Sequence, residues 1–276
     1  MAQKKSRLFP VAFLAAKATL AALKLTNHEG GTLPGFIAEG IDPAFLGDIA
    51  KPEQIVFITG TNGKTTTNNL LNDLLADNGY QTVTNRVGGN ISSGFASSFA
   101  KNATWKGTSK TKLAVMEFDE LSGPRIFPYL QPDILSVTNL FRDTFSRSAT
   151  PDYVFDVMDK GIPASTHLIL NADDMISCRL APQCAHRTYY SIARLAEDTA
   201  EPVGIVSDLT ACPKCGGKLK WDYAHLRHLG HATCEECGYT NPTPDYEVIS
   251  VEPETGKFVV KEHCHEGAPT YEYKLN

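Results

Sequence analysis

The stretch that decides the fold reads Gln54-Ile55-Val56-Phe57-Ile58-Thr59 and continues directly as Gly60-Thr61-Asn62-Gly63-Lys64-Thr65. Its first half is a compact apolar run, which is typical of a strand buried on both faces. Its second half is a glycine turn. The next residues, 66–78, predict a helix that ends at Gly79 and carries four leucines on one side, namely Leu70, Leu71, Leu74 and Leu75. A strand, a glycine turn and a helix in this order are the context of a phosphate-binding loop.

The loop predicts a nucleotide site with ATP and Mg²⁺ as cofactors. Glycines allow backbone N–H groups to point at phosphate oxygens, and the helix N-terminus adds partial positive charge. Lys64 is placed to reach the β- and γ-phosphates, and the Thr65 hydroxyl is placed to ligate Mg²⁺. The spacing is shorter than the common GxxxxGK[ST] pattern, because Ile58 stands where that pattern has glycine. The alternative is a glycine turn with a surface lysine. The predicted nucleotide contacts are Gly60, Thr61, Asn62, Gly63, Lys64, Thr65, Thr66 and Asn139.

Further strand-like runs recur along the chain, with segments of helical character between several of them. They are residues 81–84, 113–118, 134–138 and 167–170. Further along the chain, the sequence predicts a hairpin formed by residues 246–251 and 257–262, and then a last strand at 270–275. Strands that alternate with helices favour an α/β fold with a mostly parallel sheet flanked by helices.

Four cysteines form two CxxC pairs, Cys212 with Cys215 and Cys234 with Cys237, separated by 18 residues. This spacing predicts a zinc ribbon, in which four thiolates close a structural site and leave no position for a catalytic water. A redox pair and free thiols are the weaker interpretations. We expect the intervening histidines, His225, His228 and His231, to be surface or packing groups. The remaining cysteines, Cys178, Cys184 and Cys264, are expected to be small buried hydrophobes.

Composition limits the class of protein. The chain has 276 residues, of which 42% are hydrophobic and 21% charged, so a globular fold with a sizeable core is expected. The net charge of −5 gives no basic excess and argues against a nucleic-acid partner, although zinc ribbons often bind nucleic acids. Paired rather than scattered cysteines favour a reducing cytoplasm.

The N-terminus predicts a helix over residues 9–26. Lysines interrupt its apolar run, so a signal peptide is disfavoured, and the run is too short to span a bilayer. Four leucines with lysines between them indicate an amphipathic helix, and these are Leu14, Leu20, Leu23 and Leu25. Two interpretations stay open: a helix packed on the domain, and a helix that lies on a membrane surface.

Acidic and amide side chains follow several predicted strands. Glu117 lies at a strand end, where open α/β sheets place ligands, and we predict it as a magnesium ligand and catalytic group beside Lys64. For Asp119 and Glu120 two interpretations stay open: further groups at this site, and surface acids. Asn139 and Asp143 either assist at the nucleotide or cap a loop, and Asp173 and Asp174 are interpreted as loop structure.

Five segments resemble the Mur ligase family, in the order in which that family has them. They are 58–67 (the ATP loop), 84–90, 115–120 (the strand that ends in a magnesium-binding glutamate), 137–143 and 170–174, which resembles "LNxDD". Residues 31–38, 139–143 and the four-cysteine insertion are similar to one branch, the synthetase subunits of lipid II isoglutaminyl synthase. Ser146 stands where that branch usually has an acid.

The resemblance implies ATP-dependent amidation of the D-glutamate α-carboxylate of lipid II through an acyl phosphate. The ammonia would come from a glutamine amidotransferase partner of the GatD type. A lipid-linked substrate implies a cytoplasmic protein, peripheral at the inner face of the membrane. The alternatives are a Mur-type amino-acid ligase, a nucleotide-binding scaffold without catalysis, and a nucleic-acid module.

The expected organisation has four parts. They are an N-terminal helical segment (1–50), the ATP-binding central domain (51–209), the zinc ribbon (210–242) and further strands of either one (243–276). The resemblance also implies a C-terminal domain that this sequence lacks, so the chain is expected to be incomplete on its own.

Overall fold

A computed structural model describes residues 5–28, 31–87, 89–141, 151–203, 209–226 and 228–275. The chain forms two compact units. The first is Met1–Ser136 with Asp156–Thr166, and the second is Val137–Phe155 with His167–Asn276. The predicted domain boundaries at residues 50, 209 and 242 stay predictions.

The first unit is a sheet with helices. Its helices are α1 (Phe9–Leu25), α2 (Leu33–Ile41), α3 (Phe45–Asp48), α4 (Lys64–Asp77), α5 (Ser92–Asn102) and α6 (Gly123–Ile126), and a 3₁₀ turn covers Glu120–Ser122. Its strands are β1 (Gln54–Thr59), β2 (Thr82–Val83), β3 (Leu113–Glu117) and β4 (Ile134–Val137), the last ending in the second unit. They lie in the order β4-β1-β3-β2, and both β1 and β2 pair with β3 in parallel.

Aromatic rings fill the core of the first unit. Phe57 on β1 stacks on Phe118 with ring centroids 5.4 Å apart and meets Phe95 of α5 edge-on at 5.1 Å. Phe127 continues this row at 5.1 Å from Phe118. Each buried ring contributes about 2–3 kcal/mol of transfer free energy. Three consecutive residues are buried in each of β1 and β3, as expected of strands that are covered on both faces.

Helix α4 differs from the sequence prediction. Leu70 and Leu74 are 50% and 58% exposed, whereas Asn68 and Asn72 are buried. The Asn72 side-chain amide donates to the Asn68 and Val115 carbonyls, and its carbonyl oxygen accepts from the Thr82 hydroxyl. A buried amide with its hydrogen bonds made costs little, so these bonds rather than leucine packing hold this face of the helix.

Helix α1 forms where it was predicted, and its leucines are not the side chains that it buries. Its buried side chains are Phe9, Ala12 and Ala16, while Leu14 and Leu25 are 60% and 89% exposed. Small alanines let α1 lie close to its neighbours, which moves the leucines outward. Within the described ranges, no helix combines the length and the apolar character that crossing a bilayer requires.

The second unit is also a sheet. Its strands are β5 (His167–Asn171), β6 (Arg187–Ile192), β9 (Tyr246–Glu252), β10 (Lys257–Glu262) and β11 (Thr270–Lys274), in the order β11-β10-β9-β6-β5. β5 with β6 and β6 with β9 pair in parallel, whereas β10 is antiparallel to both of its neighbours. The predicted mostly parallel α/β fold is confirmed. Helix α7 (Pro151–Asp159) contributes residues to both units.

A separate antiparallel pair belongs to the second unit, β7 (Leu219–Leu226) with β8 (Leu229–Cys234). It lies in the predicted ribbon segment. Cys178 and Cys184 are buried as expected, but Cys264 is exposed, so its prediction as a buried hydrophobe is wrong. Cys264 lies between β10 and β11, where the chain turns at the surface.

Candidate functional site

The loop after β1 has the backbone that its glycines make available. Gly60 and Gly63 have φ values of 129° and 82°, a region that side chains rarely adopt, and Gly63 is the N-cap of α4. Helix α4 begins at Lys64, so the first N–H groups of the helix lie at the loop. This arrangement supplies backbone donors and partial positive charge for an anion.

Lys64 lies over the loop. Its Nζ donates to the Gly60 carbonyl at 3.1 Å and is 3.8 Å from Oε1 of Glu120. Its side chain is 21% exposed, so the ammonium group remains accessible to a ligand. Among the other predicted contacts, Asn62 and Thr66 are exposed and Thr61 is half-buried.

For Glu120 the structure excludes one of the two interpretations that the sequence left open, that of a surface acid. The residue is only 8% exposed, and its Oε1 accepts the Gly60 N–H at 2.9 Å. Burial raises the pKa of this carboxyl, and the Lys64 ammonium group opposes that shift. Glu120 is therefore part of the loop site. The 3₁₀ turn that folds Glu120 back gives no distinct sequence signal.

Thr65 and Glu117 meet as predicted from their places in the chain. The Thr65 hydroxyl donates to Oε2 of Glu117 at 2.7 Å, and Glu117 is the last residue of β3. A hydroxyl and a carboxylate at this distance are hard oxygen ligands of the kind that Mg²⁺ binds. With Lys64 nearby, the residues present fit a magnesium nucleotide.

Two asparagines that received no role from the sequence hold Glu117 in place. Asn90 donates to Oε1 of Glu117 at 3.0 Å. Asn85 accepts the Glu117 N–H at 2.9 Å and donates to the Glu117 carbonyl at 2.8 Å. Both asparagines lie in residues 84–90, one of the five segments that resemble the Mur ligase family. That resemblance was the only sequence feature that pointed to a role for them.

Asn139 lies in the second unit and is 8% exposed. The structure does not test its predicted contact with the nucleotide. Its neighbour Leu140 donates its N–H to Oδ2 of Asp174 at 2.7 Å, so this stretch is tied to the Asp173-Asp174 loop. Asp143 and Ser146 lie outside the described residues.

The four predicted cysteines converge. The sulfur atoms of Cys212, Cys215, Cys234 and Cys237 all lie within 4.8 Å of one another. Backbone N–H groups point at three of them, with Lys214, Gly217 and Cys237 donating to Cys212, Cys215 and Cys234 at 3.4 Å each. The Cys237 amide is the main cause that lowers the pKa of the Cys234 thiol to about 7. Such a set can hold a tetrahedral metal ion.

The β7–β8 pair is anchored by buried polar contacts within the second unit. Asn241 donates to the Ala172 carbonyl at 2.6 Å, and the Gly230 N–H donates to the Asp173 carbonyl at 2.9 Å. His228 is fully buried, with its Nε2 3.3 Å from Asp174 and its ring against Phe141. Asp173 and Asp174 are thus loop structure, as expected, but buried.

The three histidines between the cysteine pairs were predicted to be surface or packing groups, and they differ in burial. His228 is a packing group, and His231 is half-buried, with its Nδ1 2.7 Å from Oδ2 of Asp222. His225 is 10% exposed in its side chain and lies 2.8 Å from Oδ1 of Asp198. Burial raises the pKa of the neighbouring Asp173 to about 6.

Comparisons with known proteins agree on one family. The Mur ligase middle domain matches residues 58–208. The lipid II isoglutaminyl synthase (glutamine-hydrolyzing) subunit MurT of Staphylococcus aureus (strain COL) is 36% identical over 241 residues, which are 85% of this chain and 53% of that protein. The protein of the same name from Streptococcus pneumoniae is 34% identical over 227 residues, covering 81% and 49%. The chain thus spans about half the length of the curated relatives it matches.

Solved structures show the same fold at lower identity. A pseudomurein peptide ligase type C from Methanothermus fervidus gives a TM-score of 0.58 at 24% identity and covers 81% of this chain and 42% of that one. MurF from Acinetobacter baumannii gives 0.52 at 15% identity, covering 87% and 42%.

Proposed function

The chain belongs to the Mur ligase family, and on this premise we propose that it binds MgATP and takes part in the amidation of a lipid II carboxylate. The observation that carries the proposal is the convergence of Lys64, Thr65 and Glu117 at the loop. The names of the relatives supply the proposed reaction, since they are subunits of lipid II isoglutaminyl synthase.

The proposed chemistry begins with a carboxylate, which is a poor electrophile. A carboxylate oxygen of the D-glutamate residue attacks the γ-phosphorus of ATP, the bond to the bridging oxygen breaks, and ADP leaves. Ammonia then attacks the acyl carbon, phosphate leaves with its electron pair, and the nitrogen loses a proton to give the amide. The proposed source of ammonia is a glutaminase partner of the GatD type.

The chain's own residues hold and orient the reacting groups. Lys64 places positive charge beside the transferring phosphoryl group. Bound at Thr65 and Glu117, Mg²⁺ would neutralise phosphate charge, and Asn85 and Asn90 keep Glu117 aimed at that place. Preorganised charge of this kind lowers the barrier because no group has to reorient during the reaction.

We infer further that the four-cysteine cluster holds a structural Zn²⁺. Its support is the convergence of four sulfur atoms and the N–H groups that point at them. Four thiolates fill the tetrahedral coordination of zinc, so this ion would stabilise β7–β8 and take no part in the chemistry.

We propose a cytoplasmic location at the inner face of the membrane. The support is the lipid-linked substrate of the relatives and the exposed apolar side chains of α1, among them Val11 at 57% and Leu14 at 60%. An exposed apolar face on a helix with lysines fits peripheral contact.

The test is ADP release with lipid II and ammonium chloride, with and without a glutaminase partner and glutamine. We expect ADP release that depends on lipid II and ammonia, and its loss in Lys64→Ala. Lys112→Ala serves as the control, because the Lys112 side chain is 84% exposed. Release that depends on an amino acid instead would identify an amino-acid ligase, and ATP binding without turnover would identify a scaffold.

A further inference from the structure

The sheet of the second unit has an edge at β11. This strand stands last in the strand order, and among the strands that the structure describes only β10 pairs with it. The two strands pair from Thr270 to Lys274 without a shift in register, whereas the pairing of β9 with β10 shifts between Val259 and Val260. An uninterrupted edge offers its backbone groups to a further strand, and we call the outer side of this strand the β11 edge.

A hydrogen bond at the end of β11 identifies the backbone groups that face outward. Leu275 donates its N–H to the Gly256 carbonyl at 2.9 Å, so the backbone groups of Leu275 point toward β10. Because this direction alternates from one residue to the next in an antiparallel pair, the even-numbered residues point the other way. The N–H and C=O groups that face away from β10 are therefore those of Thr270, Glu272 and Lys274.

One face of the β11 edge carries charges of both signs. Glu272 and Lys274 are two residues apart and so lie on the same face of the strand. The Nζ of Lys257 on β10 is 3.1 Å from Oε1 of Glu272, while Lys274 is the direct cross-strand neighbour of Lys257. Two lysines placed opposite each other repel, and a second carboxylate beside Lys274 would offset that repulsion.

The other face of the β11 edge carries aromatic and apolar side chains. Tyr273 stacks on Phe258 of β10, with ring centroids 5.5 Å apart and ring planes 23° from parallel. Tyr271, Tyr273 and Leu275 are 46%, 46% and 53% exposed. Exposed apolar side chains that lie together are typical of a surface that contacts another protein.

We propose that the β11 edge pairs with the β11 edge of a second copy of this chain, antiparallel across a two-fold axis at Tyr273. In this register Glu272 of each copy lies opposite Lys274 of the other, and the outward backbone groups of these two residues face each other. Tyr273 lies opposite its own counterpart, so the stack with Phe258 continues across the axis.

Charge selects both the occupant and the register. A second copy brings a carboxylate to each Lys274 and a lysine to each Glu272, which is the complement that this face requires. Sliding one strand by two residues in either direction would place Glu272 opposite Glu272 or Lys274 opposite Lys274, and like charges directly opposite destabilise a pair. The proposal does not depend on the reaction proposed above.

The test measures the association state of the full chain by sedimentation velocity over a range of protein concentrations. Glu272→Lys and Lys274→Glu each turn the two opposite-charge pairs into like-charge pairs. Both substitutions in one chain exchange the charges and keep them opposite, and an equal mixture of the two single variants restores opposite charges between unlike copies. Glu53→Lys and Lys112→Glu are the matched controls, because these side chains are 73% and 84% exposed and belong to the first unit. Circular dichroism and thermal melting establish that each variant is folded.

We expect the wild type to form a reversible dimer with a dissociation constant on the order of 10–100 µM, because one pair of short strands is a small interface. Each single variant at β11 should weaken association by about tenfold or more. The chain with both substitutions, the mixture and the two controls should associate as the wild type does.

A wild type that stays monomeric, or single variants that associate normally, would overturn the proposal. Controls that lose association as much as the β11 variants would overturn it as well, since the effect would then follow from net charge. Failure of the chain with both substitutions or of the mixture to associate would exclude the proposed register and with it the pairing of two β11 edges.

Discussion

The nucleotide loop and the four-cysteine cluster are both built on glycine turns, yet they satisfy their polar groups in opposite ways. At the loop, the protein's own acids take the donors: Glu120 accepts the Gly60 N–H, and Glu117 accepts the Thr65 hydroxyl. At the cluster, four sulfur atoms face one another with only weak N–H contacts.

This difference indicates which of the two sites keeps its geometry without a bound ligand or metal ion. Several contacts of the loop are made within the protein, from Gly60 to Glu120, from Lys64 to Gly60 and from Thr65 to Glu117, so we expect its shape not to depend on a ligand. The cluster brings together four potential negative charges, which repel each other unless a cation joins them. We therefore expect substitutions at the loop to change binding with little effect on folding, and substitutions at the cluster to change folding.

The largest effect should follow from breaking the cluster. Cys234→Ser should abolish metal binding and destabilise the β7–β8 pair by an amount on the order of 10 kcal/mol, as in small zinc domains. We expect metal analysis to find one zinc ion per wild-type chain and none in the variant, and hydrogen exchange would follow the amides of residues 219–234. Cys264→Ser is the control, because Cys264 is an exposed cysteine that is not part of the cluster. Normal exchange protection in Cys234→Ser would contradict the comparison.

The next effect concerns the loop. Lys64→Ala should lower ATP affinity by about 100-fold, since a charge-assisted contact to phosphate is lost. The thermal midpoint should change little, because the Lys64 side chain is partly exposed. Calorimetry and a melting curve measure the two quantities on the same sample. An unchanged ATP affinity would show that the loop is not the nucleotide site.

A smaller effect, on the Mg²⁺ dependence of ATP binding, is expected from a substitution at Glu117. Glu117→Gln keeps the shape of the side chain and its contact with Thr65, but removes the negative charge. The Mg²⁺ concentration that gives half-maximal ATP binding should rise about tenfold. Glu53→Gln, at a side chain that is 73% exposed, should leave that concentration unchanged. Equal Mg²⁺ dependence in all three proteins would remove Glu117 from the site.

The smallest effect is a pH dependence at Glu120. Burial raises its pKa in the folded state above the ordinary 4.5, so the folded chain binds this proton more tightly than the unfolded chain. The stability that this proton gives is full below about pH 4.5 and is lost as the pH rises through the folded pKa. Glu120→Gln should flatten that part of the curve and differ from wild type by about 1 kcal/mol or less.

Urea unfolding from pH 4 to pH 8 measures the effect at Glu120, with Glu53→Gln as the reference for an exposed acid. Curves of wild type and Glu120→Gln that stay parallel over this range would mean that Glu120 does not titrate as its burial requires.

The sequence alone was sufficient for those features that a short stretch of residues determines. The order β1, loop, α4 follows from one apolar run, two glycines and a helical segment, and the cysteine spacing led directly to the cluster. Thr65 and Glu117 are 52 residues apart in the chain, and they were paired by the family resemblance together with the rule that ligands gather at strand ends.

Side chains that act through tertiary contacts escaped prediction. The role of Glu120 stayed open because its burial depends on a 3₁₀ turn that returns it to Gly60. Asn72 was missed because leucines usually decide the inner face of a helix, whereas here an amide that bonds Val115 and Thr82 does so. In α1, the buried side chains are Phe9, Ala12 and Ala16, and the apolar pattern of the sequence did not distinguish them from the leucines.

The contact between Glu120 and Gly60 has a consequence for selectivity. A phosphate oxygen can take the Gly60 N–H only by replacing a carboxylate oxygen that already accepts it. Glu120 thus competes with a ligand for the Gly60 N–H, and we expect a ligand to need more negative charge than the carboxylate that it displaces. We expect singly charged anions such as chloride or acetate to gain little by this exchange, and a triphosphate with its metal ion to gain more. On that expectation the loop would select anions by their charge before any contact with the base or the sugar is made.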